Sequence, residues 1–316
     1  VKREATAFAP ASVSNVACGF DIMGFALADI GDAVTVRYTD APGARITAIS
    51  GTVSTISREV GRNTAGPPVV EVMKRYQCAH GIEIDIKKGL PVGSGIGSSA
   101  ASAVAAAVAA DALLGGKLSK LDLLACALEG ERLASGSIHV DNLAPSLWGG
   151  FVLVRGYEPI DIVPVTSPLD LWCALVVPEV EIKTKEARKI LPKQLPLEDV
   201  ITQTGNAAGL IAGLMSGDTG LIARSLHDRI AEPARRSLIP GYDAVKTAAL
   251  GAGALGCNIS GSGPTIFALC DGEDAAHRSA GAMGDAMQKA GVACAMIVSS
   301  IRNSGARVDV RTPNAS

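Results

Sequence analysis

The spacing of hydrophobic and polar residues assigns most of this chain to strands or helices. Ala33–Tyr38 (AVTVRY) and Ile82–Ile86 (IEIDI) alternate with a period of two, the spacing of half-buried strands. Glu4–Ala9 alternates more weakly and stops at Pro10, which predicts a first strand. Phe151–Val154 reads as a short strand after the Gly149-Gly150 pair, and Leu171–Val177 as an apolar strand broken by Pro178. Gly256–Ser260 and Thr265–Leu269 predict two strands around a tight Gly261-Ser262-Gly263-Pro264 turn, and Ala293–Ser299 a last one. Helical spacing falls on Pro67–Tyr76, Ala103–Leu114, Leu121–Ala134, Thr184–Leu191, Val200–Met215, Asp218–Asp228, Gly241–Gly251 and Asp274–Ala290. Ser119 suits the N-cap of the third of these, which should end near Gly136. Residues 302–316 are polar and expected to fray. This mixture, with a hairpin-like pair near the end, predicts an α+β fold rather than a doubly wound sheet. A domain boundary is expected within Gly150–Ser167, dividing the chain at about residue 155.

Composition narrows the picture. At 316 residues, with 48% hydrophobic and 19% charged side chains, the chain has material for a large core or two domains. Aromatics are only 3% while glycine and alanine abound, so packing should bring backbones close together. A formal net charge of −2 leaves no nucleic-acid footprint, and no apolar run has the length of a membrane span. The seven cysteines are odd in number, form no C-x-x-C and mostly sit in apolar runs. That pattern predicts a reducing, cytoplasmic setting (an organellar stroma if a leader was removed) without structural zinc. Cys18 lies in a polar loop but has no histidine nearby in sequence to activate it, and is expected to be a packing residue.

The chemistry concentrates in Pro91-Val92-Gly93-Ser94-Gly95-Ile96-Gly97-Ser98-Ser99-Ala100-Ala101-Ser102, which opens onto the alanine-rich helix. Glycines let backbone approach an anion, and a helix start offers unpaired N–H groups and the positive end of its dipole. Hydroxyls at the entrance can donate to phosphate oxygens or ligate magnesium. The segment is not a Walker loop, because Ser98 stands where lysine is required. Nor is it a dinucleotide fingerprint, because Gly93, Gly95 and Gly97 simply alternate.

Four further groups stand out. The small-residue segment Ala9–Asp21 carries Asn15 and Asp21, both able to hold a polar ligand. The helix bearing Glu129 and Glu131 leads into His139-Val140-Asp141-Asn142; its two acids face different sides, so at most one serves the phosphate loop. Arg188 and Arg235 have the fork that recognises carboxylates. The glycine-dense Gly253–Thr265 segment lets backbone approach a ligand or another loop.

Three of these blocks, Pro10–Asp21, Pro91–Ser102 and Gly256–Thr265, occur in the order found in the GHMP kinases, and the chain resembles that family. The middle block matches the family pattern P-x-G-x-G-[LI]-G-S-S-A-A without a gap. Within the family, the chain is similar to the branch that phosphorylates homoserine. The similarity rests on Ala9-Pro10-Ala11-Ser12 with Asn15 and Gly19-Phe20-Asp21, on His139-Val140-Asp141-Asn142 with Ala144-Pro145, and on Glu232-Pro233-x-Arg235 with Ile239-Pro240-Gly241.

The resemblance implies an N-terminal ATP-binding domain over 1–155, with a ribosomal-protein-S5-like fold and a left-handed βαβ crossover that breaks the usual rule. It implies a ferredoxin-like domain over 156–301 and a homodimer. ATP and Mg²⁺ would act on L-homoserine. Ser99 and Glu131 correspond to magnesium ligands, Pro91 to Ser99 (Pro91, Gly93, Ser94, Gly95, Ile96, Gly97, Ser98, Ser99) to the phosphate loop, and Asn63 to the base site. Asn15, Asp21, His139, Asn142, Arg188 and Arg235 correspond to the acceptor pocket, with Asp21 suited to the ammonium and the arginines to the carboxylate. Related mevalonate kinases carry an aspartate eleven residues after the magnesium glutamate, where this chain has Asn142. Asp141 should point elsewhere if its segment is extended. Catalysis by positioning and charge neutralisation is therefore expected, with His139 a substrate or structural hydrogen-bonding group. Lys87 and Lys88 are expected at a solvated strand end.

Overall fold

A computed structural model describes residues 4–135 and 139–309. The strands are β1 (Glu4–Ser14), β2 (Met23–Thr39), β3 (Ala44–Gly51), β4 (Gly81–Lys88), β5 (Phe151–Tyr157), β6 (Ile160–Val165), β7 (Leu171–Pro178), β8 (Gly256–Ile259), β9 (Ile266–Asp271), β10 (Cys294–Ser300) and β11 (Arg307–Asp309). The helices are α1 (Gly66–Arg75), α2 (Ser98–Leu114), α3 (Lys120–Ser135), α4 (Val140–Trp148), α5 (Thr184–Lys189), α6 (Leu197–Ser216), α7 (Thr219–Ser225), α8 (Ala231–Arg235), α9 (Tyr242–Gly251) and α10 (Glu273–Lys289).

The first sheet runs β11-β1-β2-β4-β3. β2 is long enough to serve two partners along the edge opposite β1. Its second half pairs with β4, and its first three residues pair with β5, which carries β6 in a hairpin. β3 and β4 are parallel and joined through α1, a βαβ unit. The second sheet runs β10-β7-β9-β8, all antiparallel, with α9 and α10 packed on it. In chain order that is 4-1-3-2 with helices in both crossovers, the split βαβ plan.

Sequence explains where the core lies. Val34 and Val36 on β2 and Ile82, Ile84 and Ile86 on β4 all turn inward, as the period-two pattern requires. α2 is alanine-rich and buried on every side, the signature of a central helix. Its small side chains let β1, β2, α1, α3 and α4 all approach it. α3 starts as expected: Ser119 Oγ accepts from the Asp122 amide, and the Asp122 carboxylate accepts from the Ser119 amide. Its expected end near Gly136 lies outside the described residues.

Several expectations change. β1 does not stop at Pro10 but runs on to Ser14, with a register shift between Pro10 and Ser12. Proline is tolerated there because it stands opposite Gly31 at the edge of a bulge, where the regular ladder is interrupted. β3, α4 and β6 were not expected from the pattern. The hairpin β5–β6 continues the first sheet past residue 155, and the chain enters the second sheet at Leu171. Within the polar 302–316 segment, Arg307–Asp309 pairs with β1; residues 310–316 lie outside the described residues. All seven thiols are free, and Cys18 is buried, which pushes its thiol up to about 12 and fits a packing role.

Candidate active site

A cleft of about 550 Å³ opens between the two sheets, with the phosphate-loop candidate on one side and α5 and α8 on the other. Gly93, Gly95 and Gly97 have φ of +73°, +84° and +67°. A Cβ on Gly97 would stand 2.1 Å from Ser12 Oγ, and one on Gly95 2.7 Å from the Gly263 carbonyl. Glycine is thus required at both by conformation and by space. The loop is propped from the second sheet: Thr265 Oγ1 donates to the Ser94 carbonyl at 2.6 Å, and Ser260 Oγ to the Gly95 carbonyl at 2.7 Å. α2 then begins at Ser98, aiming its unpaired amides into the cleft.

Behind the loop lies a buried charge pair. Lys88 Nζ is ion-paired with Asp32 and donates to Ser98 Oγ at 2.8 Å, to the Ser98 carbonyl at 3.1 Å and to Ser102 Oγ at 2.9 Å. Asp32 also accepts from the Gly89 and Leu90 amides. The expectation of a solvated strand end at Lys88 is therefore overturned. Alternation read two residues further, through 82, 84, 86 and 88, would have placed it inside. Burial lowers its pKa, and Asp32 offsets part of that. Because Lys88 engages Ser98, it is Ser99 that stands half-buried at the cleft wall.

α4 corrects the reading of 139–142. Val140, Leu143, Ala144 and Leu147 carry helical spacing, which Pro145 obscured, and the segment is helical, not extended. Asn142 is clamped: its Oδ1 accepts from Ser12 Oγ at 3.0 Å and its Nδ2 donates to Ser14 Oγ at 2.9 Å. Its amide faces the phosphate loop, with Oδ1 3.1 Å from where a Gly97 Cβ would be. Asp141, also expected to point away, instead lines the cleft, is buried, and leaves Oδ1 without a hydrogen-bond partner. Burial, reinforced by the charge of Asp21, pushes its carboxyl up to about 7. His139 Nδ1 lies 3.3 Å from Glu131 Oε2. Burial pulls the imidazole down, but Glu131 and Asp141 outweigh that and raise its pKa.

The far wall brings Asp21, Arg188 and Arg235 together. Both terminal nitrogens of Arg188 donate to Asp21 Oδ2, at 3.0 and 2.8 Å. Asp21 sits at φ +59°, its amide donating to Asn15 Oδ1 and its carbonyl accepting from Tyr157. Asn15 Nδ2 in turn donates to the Gly261 carbonyl at 2.9 Å. Arg235 is buried, with Nε on the Ala187 carbonyl and Nη1 on that of Gly261, and its guanidinium lies 5.5 Å from the Phe20 ring centroid. Burial lowers its pKa.

Asn15, Asp21, Asn63, Gly93, Ser94, Gly95, Gly97, Ser98, Ser99, Glu131, His139, Asn142, Arg188 and Arg235 thus share one cleft. Pro91 and Ile96 do not line it: Pro91 is exposed outside it, and Ile96 is buried in the core with its carbonyl taken by the Ser12 amide. Asn63 spends its amide on the Ser57 carbonyl and the Ala65 amide, so it shapes the adjoining loop. Lys183, Thr184 and Lys185 at the start of α5 were missed as cleft residues, since a lysine-rich helix start reads as surface. Among the described residues, no three His, Cys, Asp or Glu side chains cluster to hold a metal by themselves. A hydroxyl and a carboxylate, Ser99 and Glu131, are the hard oxygen donors that suit an ion whose other ligands are phosphates.

The chain matches known proteins over most of its length. Residues 63–150 match the GHMP kinases N terminal domain, and 210–289 the GHMP kinases C terminal domain. The chain is 46% identical over 297 residues to a homoserine kinase of Chloroherpeton thalassium, covering 91% of this chain and 93% of that one. It is 45% identical over 318 residues to a homoserine kinase of Chlorobium phaeovibrioides, covering 95% and 98%. The crystal structure of a homoserine kinase from Cytophaga hutchinsonii superposes with a TM-score of 0.94 at 48% identity, over 98% of both chains.

Proposed function

The chain belongs to the GHMP kinase family, an ATP-dependent kinase acting on an alcohol, and from that premise we propose that it phosphorylates the side-chain hydroxyl of L-homoserine. The product is O-phospho-L-homoserine, which feeds threonine formation. The observation that carries the proposal is the single cleft holding a glycine phosphate loop at one end and two arginines at the other. An acceptor with a hydroxyl at one end and a carboxylate at the other fits that span.

The work divides among the chain's own residues. The loop amides and the start of α2 receive the polyphosphate. Ser99 and Glu131 would hold Mg²⁺, which when bound neutralises charge on the phosphates. Asn142, fixed by Ser12 and Ser14, orients the acceptor hydroxyl beside the loop. An amide cannot take a proton, so positioning and charge neutralisation supply the rate, as a loose phosphoryl transition state allows. Arg188 and Arg235 receive the α-carboxylate, while Asn15, Asp21 and His139 shape the pocket around it. Asn63 shapes the loop at the nucleotide end. Buried free thiols support a reducing, cytoplasmic setting. No helix among the described residues is long and apolar enough to cross a membrane.

The test is ADP release from Mg-ATP with L-homoserine, mevalonate and galactose in parallel. Turnover with homoserine alone is expected; turnover with another acceptor instead would replace the proposed substrate.

A further inference from the structure

We propose that a second cavity, on the far side of α8 from the cleft, is a regulatory site for a small phosphate monoester held by Arg229 and Arg236. The site itself does not depend on which alcohol the chain phosphorylates.

The cavity measures about 380 Å³ and shares no lining residue with the cleft. α8 divides the two. Its last residue, Arg235, lines the cleft, while Glu232 and Pro233 within it and Arg236 just after it line the second cavity. His227, Asp228 and Arg229, which lead into α8, and Lys246 on α9 complete the wall.

The acids of this cavity are spent and its cations are not. Asp228 accepts from the backbone amides of Ile230, Ala231 and Glu232. Glu232 is ion-paired with Lys246 and accepts from Asn258 Nδ2 at 2.8 Å. Among the described residues, the Arg229 guanidinium and the His227 ring have no hydrogen-bond or ion-pair partner. Arg236 lies 3.6 Å from the Asp243 carboxylate, an exposed pair that is worth little in water. Two guanidinium forks with a ring N–H beside them suit a tetrahedral dianion that offers several acceptor oxygens. A cavity of this size takes the phosphate together with a body of a few carbons.

Two links join the cavity to the acceptor end of the cleft. Arg229 and Arg236 flank α8, so a ligand that engages both draws the helix towards the second cavity. Arg235, held in the cleft by the Ala187 and Gly261 carbonyls, is drawn away with it. Separately, the Arg229 amide donates to Gln203 Oε1, and Gln203 Nε2 donates to the Cys18 carbonyl, both at 2.8 Å. Cys18 belongs to the segment that bears Asn15 and Asp21. Occupation therefore raises the KM for the acceptor and leaves the KM for ATP unchanged.

Calorimetric titration tests the site. Glycerol 3-phosphate and inorganic phosphate are each titrated into the chain saturated with a non-hydrolysable Mg-ATP analogue, so that the phosphate loop is filled. The ester should bind once per chain and more tightly than inorganic phosphate. Arg229→Ala and Arg236→Ala should each weaken it by about 10-fold or more, and Arg235→Leu, a change in the cleft, should not. Initial rates test the coupling. The ester should raise the KM for L-homoserine by about 5-fold in wild type, and have no effect in Arg229→Ala, whose rates without the ester match wild type. Absence of binding with the loop filled overturns the inference, as does binding that survives Arg229→Ala but not Arg235→Leu. Equal affinity for inorganic phosphate overturns the monoester assignment, and an unchanged acceptor KM overturns the coupling. The titration needs no acceptor, so its outcome stands apart from any failure of the homoserine reading.

Discussion

Lys88 and Ser98 are joined by two hydrogen bonds from one ammonium group, 2.8 Å to the serine hydroxyl and 3.1 Å to its carbonyl. The end of β4 thereby fixes the first turn of α2, on which the phosphate loop depends. Lys88→Met should strand Asp32 as a buried, unpaired charge and cost about 3–5 kcal/mol of stability. Chemical denaturation checks this. The double variant Lys88→Met with Asp32→Asn should recover part of the stability but not the KM for ATP.

Gly97→Ala places a methyl group 2.1 Å from Ser12 Oγ at a φ of +67°. It also crowds Asn142, which Ser12 holds. A displacement of the order of 1 Å in this loop should cost about 100-fold in kcat/KM. The expected pattern is a fall in kcat with the melting temperature only modestly lower, measured by steady-state kinetics and calorimetry.

Arg235→Leu should raise the homoserine KM by about 30-fold or more, with little change in the KM for ATP, as removal of a buried carboxylate partner does. Arg235→Lys should not restore it, because an ammonium cannot reproduce the fork anchored on Ala187 and Gly261. Initial rates over a matrix of both substrates check the separation. Equal effects on both KM values would contradict a carboxylate-binding role.

Asp141 gives stability a pH dependence whose sign follows from its raised pKa. The folded chain binds the proton more tightly than the unfolded chain, with a folded pKa of about 7 against 3.8. Its contribution is therefore fully present below the ordinary carboxylate range, is lost as pH rises from about 4 to 7, and is flat above. The loss amounts to about 4 kcal/mol at most. Asp141→Asn should remove that slope, so that without substrate the variant equals wild type near pH 4 and exceeds it at pH 8. Denaturation midpoints across this range provide the check.

How much the sequence disclosed depends on how local each signal was. The phosphate loop and its helix were legible because glycine alternation and an alanine run are contiguous and carry their own mechanism. The αβ order of the second sheet was legible for the same reason, each element having its own period. Lys88 was misjudged because Asp32, its partner, lies 56 residues away, and charge on a strand end reads as solvated until that partner is known. α4 was hidden by Pro145, and with it went the facing of Asp141, since an extended segment and a helix turn neighbouring residues differently. The pairing of Asp21 with Arg188 joins residues 167 positions apart, and no local pattern encodes it.

Phosphorus NMR of a reaction containing the chain, Mg-ATP and L-homoserine tests the central claim most directly. The account predicts ADP and, in equal amount, a phosphomonoester whose signal is split by the methylene protons beside the former hydroxyl. Release of inorganic phosphate alone, or an ester formed only when mevalonate or galactose replaces homoserine, would contradict it.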